Sequence, residues 1–258
     1  MVRVIFNADD FGYSEAVSLG IIKAHQDGVI NSTTLMVNME SSTNHAVRLS
    51  EQNPDLFVGL HSNIVIGRPG SDTSDIPSLV NSEGYFDTKK KQSAGLALNA
   101  DEILIEVRAQ AEKFKELMGE YPRHIEGHPI RDDGLFEAIK QVATKLNVHY
   151  TDVQYTVNSE LIRGANNSGY EIPEYPDVPY FTGNISYEFW LEDKGNLLEK
   201  DLVEIHSHPG YLDQFILDNS SYNLPRAKEV EIACSDEIKQ WAKENNVEFV
   251  SFEAIRKS

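Results

Sequence analysis

The stretch "VRVIFNADDFGYSEAVSLGIIKAHQDG", residues 2–28, decides the fold. Val2, Val4, Ile5 and Phe6 make a short apolar strand over 2–8, and the run ends on two adjacent carboxylates, Asp9 and Asp10. Ser14 then reads as an N-cap, with Val17, Gly20, Ile21 and Ala24 at helical spacing until Gly28 stops the helix. Strand followed directly by helix is the opening of a βαβ unit.

The pattern repeats outward from there. Residues 29–39 are β-branched and read as a second strand, followed by a helix over 43–52 that ends before Pro54. "LFVGLH" (56–61), "RHIEGH" (123–128), a segment starting near Val148, "LVEIHSH" (202–208) and "VEFVSF" (247–252) read as further strands. Asn99 caps a long helix with Ile103, Val107, Ala111, Phe114 and Met118 on one stripe and Glu102 placed as in a capping box. Phe136, Ile139, Ala143 and Leu146 mark another helix, and a single helix is expected over 226–244. About seven strands alternating with helices predict an α/β fold with a parallel sheet and outer helices. The count suits a barrel better than a short open sheet, and 258 residues suit one domain spanning 1–258. The stretches 66–100 and 157–200 are poorly patterned, the second rich in Tyr and Phe.

Composition narrows the partners. There are 41 acidic against 23 basic residues, a formal net charge of −18, which would repel nucleic acid and anionic membrane. No apolar stretch approaches the ~20 residues of a membrane helix, and the chain opens on a strand rather than a signal peptide. One cysteine, Cys234, excludes an internal disulfide, so a reducing, cytoplasmic setting is expected.

The chemistry collects at the C-terminal ends of the predicted strands, where parallel α/β folds place their active sites. Asp9 and Asp10, His61, His128 and His208 all stand there. Any one of these histidines alone is an ordinary polar residue beside a loop. Four strand ends converging on one rim are harder to explain by chance. Two carboxylates side by side need a cation to offset their repulsion. "DFG" within "ADDFG" does not indicate a kinase, because only nine residues precede Asp10 and none can supply a phosphate loop and lysine.

One Asp with two His suits Zn²⁺, and equally Mn²⁺, Co²⁺ or Fe²⁺, whereas Mg²⁺ prefers an all-oxygen shell. Three protein ligands leave room for water and substrate, and the spare Asp can accept a proton. His206 shares a strand face with His208 and is a reserve candidate; Glu126 is placed to orient His128.

With "NADDFG" at the start, "GLHSN" followed by "GRPGS", "HIEGH", "HPGY" and a closing "IKQWAKENNVEFVSF", the chain resembles the YdjC-like carbohydrate deacetylases over most of its length. The resemblance implies a distorted (β/α) barrel that removes N-acetyl groups from amino sugars of the chitooligosaccharide type, works as a homodimer and uses one divalent metal, often Mg²⁺. It implies Asp9 as catalytic base, Asp10, His61 and His128 as metal ligands, and His208 as general acid. The middle motif departs from the family's, with Glu126-Gly127 inside it and Arg131 where an imidazole is usual. Two rival readings use the same residues: an amidase or esterase acting on a non-sugar substrate, and a sugar-binding or regulatory protein without turnover. The 66–100 loop and the Tyr- and Phe-rich 170–190 segment are candidates for contacting sugar, with ordinary surface aromatics or a dimer contact as the equal alternative for any one ring.

Overall fold

A computed structural model describes residues 1–130, 132–151, 153–155, 161–163, 169–180 and 184–255. In chain order the elements are β1 (Val2–Phe11), α1 (Glu15–Gln26), β2 (Ser32–Leu35), α2 (Ser41–Glu51), β3 (Phe57–Ser62), α3 (Thr88–Ser93), α4 (Ala100–Met118), β4 (His124–Gly127) and α5 (Asp133–Leu146). There follow β5 (His149–Tyr150), β6 (Val153–Tyr155), β7 (Leu161–Arg163), α6 (Tyr187–Leu191), β8 (Leu202–Ser207), α7 (Gln214–Asn219), α8 (Leu224–Cys234), α9 (Asp236–Glu244) and β9 (Val247–Val250). The alternation predicted from sequence is present, and the chain has an α/β fold.

The chain forms two compact units, Met1–Leu35 with His45–Val58 and Glu171–Ser258, and Met36–Asn44 with Gly59–Tyr170. In the first unit β1 pairs in parallel with β2, β8 and β9. In the second, β3 pairs in parallel with β4, and β4 with β5. Strand β3 starts in the first unit at Phe57 and ends in the second at Ser62. The short β6 and β7 form a separate antiparallel pair.

Local chemistry explains the element ends. Ser14 caps α1 by accepting from Val17 N–H, and Asn99 caps α4 by accepting from Asp101 and Glu102 N–H. Glu102, expected to close a capping box, instead accepts Ser78 N–H at 2.6 Å and ties down the 66–100 loop. That loop carries its own buried residues, Ile76, Leu79, Val80 and Phe86, and Glu106 accepts from Gly70 N–H, Ser71 N–H and Ser71 O–H at 2.9, 3.0 and 2.6 Å.

Two expectations need correction. The single helix over 226–244 is two helices, because Ser235 leaves the helical conformation (φ −70°, ψ 146°) and caps α9 through Ile238 N–H. The aromatic 170–190 segment is largely core: Tyr175, Tyr180, Phe189 and Trp190 are buried. Trp190 meets Phe6, Phe249 and Trp241 with ring centroids 4.9, 5.6 and 5.7 Å apart, so these rings are spent on packing rather than offered to a sugar.

Glycine at position 20 sets how closely α1 approaches the segment after β8. A Cβ there would lie 2.5 Å from Gly210 Cα, and Tyr211 N–H donates to Ala16 C=O at 3.2 Å. Replacing a helical glycine by alanine ordinarily stabilises by about 0.5–1 kcal/mol. Here Gly20→Ala is expected to destabilise by about 1–3 kcal/mol through overpacking, read as a lower urea midpoint with unchanged m.

Candidate active site

Strand β1 delivers the two carboxylates by breaking its own alternation. Its partners on β2 run Asn7 to Ser32, Ala8 to Thr33 and Phe11 to Leu35, so β1 holds one extra residue between Ala8 and Phe11. Asp10 takes up this bulge with a left-handed backbone, φ 73°, uncommon for a residue with a side chain. Both carboxylates are buried: Asp9 is 5% and Asp10 1% exposed.

Each has a different neighbour. Asp10 Oδ2 accepts from the guanidinium of Arg226 at 2.7 Å, and Arg226 is itself 1% exposed. The cation that offsets part of the repulsion is therefore a side chain of α8. Asp9 Oδ1 accepts from the Asn7 amide at 2.7 Å, while Oδ2 lies 3.3 Å from His206 Nδ1 and 3.7 Å from His208 Nε2. The first unit thus brings Asp9 and His208 together, as predicted, and promotes His206 from reserve to direct neighbour of Asp9.

Helix α8 grips the backbone of His208 from both sides. Its N–H donates to Glu229 Oε2 at 2.7 Å and its C=O accepts from Arg226 at 3.4 Å. Tyr222 donates its O–H to the other oxygen of Glu229, and its ring centroid is 5.0 Å from that of His208. Arg226 also donates to Tyr222 C=O at 2.8 Å. No sequence signal flagged Arg226, Glu229 or Tyr222, which sit on or beside α8 and belong to none of the motifs read from the sequence.

The second unit pairs the other two predicted residues. His61, near the end of β3, is fully buried, and its Nε2 lies 3.2 Å from Nδ1 of His128, which follows β4. His128 N–H donates to Ser62 C=O at 2.8 Å, which fixes the turn after β4 against β3. Glu126 Oε1 lies 3.0 Å from His61 Nδ1, so the carboxylate expected to orient His128 holds the imidazole of His61. A carboxylate accepts only, hence Nδ1 of His61 carries a proton, and in the neutral ring Nε2 is the nitrogen with the lone pair. Beyond these, Asn63 is locked by Gln110, which accepts its N–H at 2.9 Å and donates to its C=O at 2.5 Å. His124 and His149 pair with each other at 2.8 Å. Arg131 lies outside the described residues.

Burial raises the Glu229 carboxyl from 4.5 to about 7, against the opposing effects of Tyr222, His208 N–H and Arg226. The folded protein therefore holds an extra proton between about pH 4.5 and 7. This residue's stabilisation is full below 4.5 and is lost as pH rises through 7, by about 3 kcal/mol. Urea unfolding at pH 5.0 and 7.5 is expected to show about 2 kcal/mol of this fall in the native sequence, and Glu229→Gln to flatten it by about that amount.

Comparison with known proteins places the chain. The profile of the family described as YdjC-like protein matches residues 3–244. Carbohydrate deacetylase 2 of Listeria innocua is 36% identical, covering 99% of this chain and 100% of its own. A carbohydrate deacetylase of Clostridium beijerinckii is also 36% identical, covering 98% and 100%. The crystal structure of an Enterococcus faecalis protein described as a cellobiose-phosphate cleavage protein superposes with a TM-score of 0.86 at 27% identity, covering 98% of each chain. With its fold, its doubled carboxylate and its paired imidazoles in place, this chain belongs to the YdjC-like protein family.

Proposed function

We propose that the protein is a metal-dependent carbohydrate deacetylase that hydrolyses N-acetyl groups on amino sugars, with acetylated chitooligosaccharides such as diacetylchitobiose as substrates. The observation that carries the metal half of this reading is the imidazole pair. Two ring nitrogens bound to one ion at about 2.0–2.1 Å each stand roughly 2.9–3.4 Å apart across ordinary coordination angles. The separation of His61 Nε2 and His128 Nδ1 is 3.2 Å. A carboxylate behind a ligating imidazole, as Glu126 stands behind His61, is the usual support for such a ligand. The relatives described as carbohydrate deacetylases support the substrate class.

Asp10, His61 and His128 are the proposed ligands, offering one carboxylate oxygen and two ring nitrogens. Arg226 engages one oxygen of Asp10, and a carboxylate has a second. When bound, a divalent ion supplies Lewis acidity, making water acidic near neutral pH and polarising the amide carbonyl. The donor set favours Zn²⁺ or another transition metal over Mg²⁺.

The remaining work falls to the chain's own residues. Asp9, held by Asn7 on one oxygen, takes the proton from the attacking water with the other. His208 gives a proton to the departing amine, which leaves poorly without one. Its Nε2 lies 3.7 Å from Asp9 Oδ2, so the donor and the base stand side by side. The grip of Glu229 and Arg226 on its backbone fixes where that proton is presented.

Acetate release from N,N′-diacetylchitobiose by metal-stripped protein, with Zn²⁺, Co²⁺, Mn²⁺ or Mg²⁺ restored, tests the proposal. Release is expected only with metal. Asp9→Asn should keep stoichiometric metal yet lose at least about 100-fold in kcat, the scale of a general base. Asp10→Ala should lose metal. No release from any acetylated sugar by protein shown to hold metal would sink the carbohydrate assignment. Separately, Glu126→Gln is expected to weaken metal affinity about 10–100-fold, measured by competition with a chelating dye.

A further inference from the structure

His206 lies between two carboxylates of the first unit. Its Nδ1 is 3.3 Å from Asp9 Oδ2 and its Nε2 is 3.3 Å from Glu204 Oε1. Glu204 is fully buried, and Tyr175 donates its O–H to Glu204 Oε2 at 3.1 Å. The Tyr175 ring lies nearly parallel to the imidazole, 9° between planes with centroids 6.4 Å apart, which holds the ring's orientation. Register does the rest: His206 stands opposite Asn7 across the β1–β8 pair, and Glu204 opposite Ile5. The imidazole therefore sits beside the residue whose amide holds the other oxygen of Asp9.

A buried carboxylate is costly unless a positive or hydrogen-bonding partner offsets it. Ionised carboxylate oxygens accept and never donate, so a ring nitrogen facing one must carry a hydrogen. An imidazole facing a carboxylate on each side meets both only as the imidazolium, with both nitrogens protonated. We propose that His206 is a positioning residue, an imidazolium strung between Glu204 and Asp9 that fixes the orientation in which Asp9 Oδ2 takes the proton from water. The kinetic side of this inference rests on the deacetylase reading; the bridge itself does not. Among the groups facing the ring are Asp9, Glu204 and Tyr175, with His208 across Asp9.

Two measurements on the full chain decide it. In metal-free protein labelled with ¹⁵N-histidine, the spectrum at pH 8 is expected to show a ring protonated on both nitrogens that belongs to His206. That signal should vanish in His206→Phe and shift in Glu204→Gln. No doubly protonated ring at pH 8, or a set of such rings unchanged in His206→Phe, overturns the bridge. In the metal-loaded enzyme, His206→Phe, which keeps an aromatic ring against Tyr175, should lower kcat about 10–100-fold with KM within twofold and Co²⁺ stoichiometry unchanged. His206→Asn, whose amide N–H can still reach Asp9, should recover much of the loss. A His206→Phe enzyme with native kcat, or one impaired only in KM, overturns the positioning role. Native protein that turns over no acetylated sugar defeats the deacetylase reading instead, and the ¹⁵N spectrum still decides the bridge.

Discussion

Two adjacent carboxylates at the end of β1, both buried, are the constraint around which the first unit is arranged. Taking a carboxylate out of water costs several kcal/mol even after relaxation, and two neighbours add their repulsion. The bulge and the left-handed backbone of Asp10 turn that residue out of strand alternation, and Arg226 meets it at 2.7 Å. Arg226 is buried in turn, and its guanidinium is engaged by Tyr222 C=O, His208 C=O and Asp10 while it lies over the rings of Tyr13 and Tyr222. Because the same helix face also carries Glu229, the charge at position 10 and the backbone of His208 are set by one element.

The environment also tells the two carboxylates apart. Asp10 faces a guanidinium that stays charged at any working pH, and Asp9 faces two imidazoles, which can hold or release a proton. Divergent surroundings for paired carboxylates are how one site assigns a holding role to one and a proton-transfer role to the other. The second unit applies the same device in reverse, with the buried Glu126 carboxylate fixing which nitrogen of His61 keeps its lone pair. Glu106 and Gln110 then carry no charge chemistry but clamp the 66–71 turn and the peptide of Asn63, so the segment after His61 is held by buried hydrogen bonds.

What the sequence determined by itself is the alternation of strands and helices and the identity of the residues at strand ends. Those follow from local rules: β-branched runs, the period of helical apolar residues, and caps such as Ser14 and Asn99. Asp9, Asp10, His61, His128 and His208 were legible because each closes a recognisable strand. Only the tertiary structure decided their partners. Arg226, Glu229, Tyr222 and Glu204 carry no motif, since on their own elements they look like ordinary helix or strand residues, and their role exists only once α8 and β8 pack beside β1. The Tyr- and Phe-rich segment was misread for the same reason, because composition cannot say whether an aromatic ring ends in the core or at a surface. Burial is a property of the packed chain, and it turns two exposed-looking aspartates into charges that a distant arginine and histidine must hold.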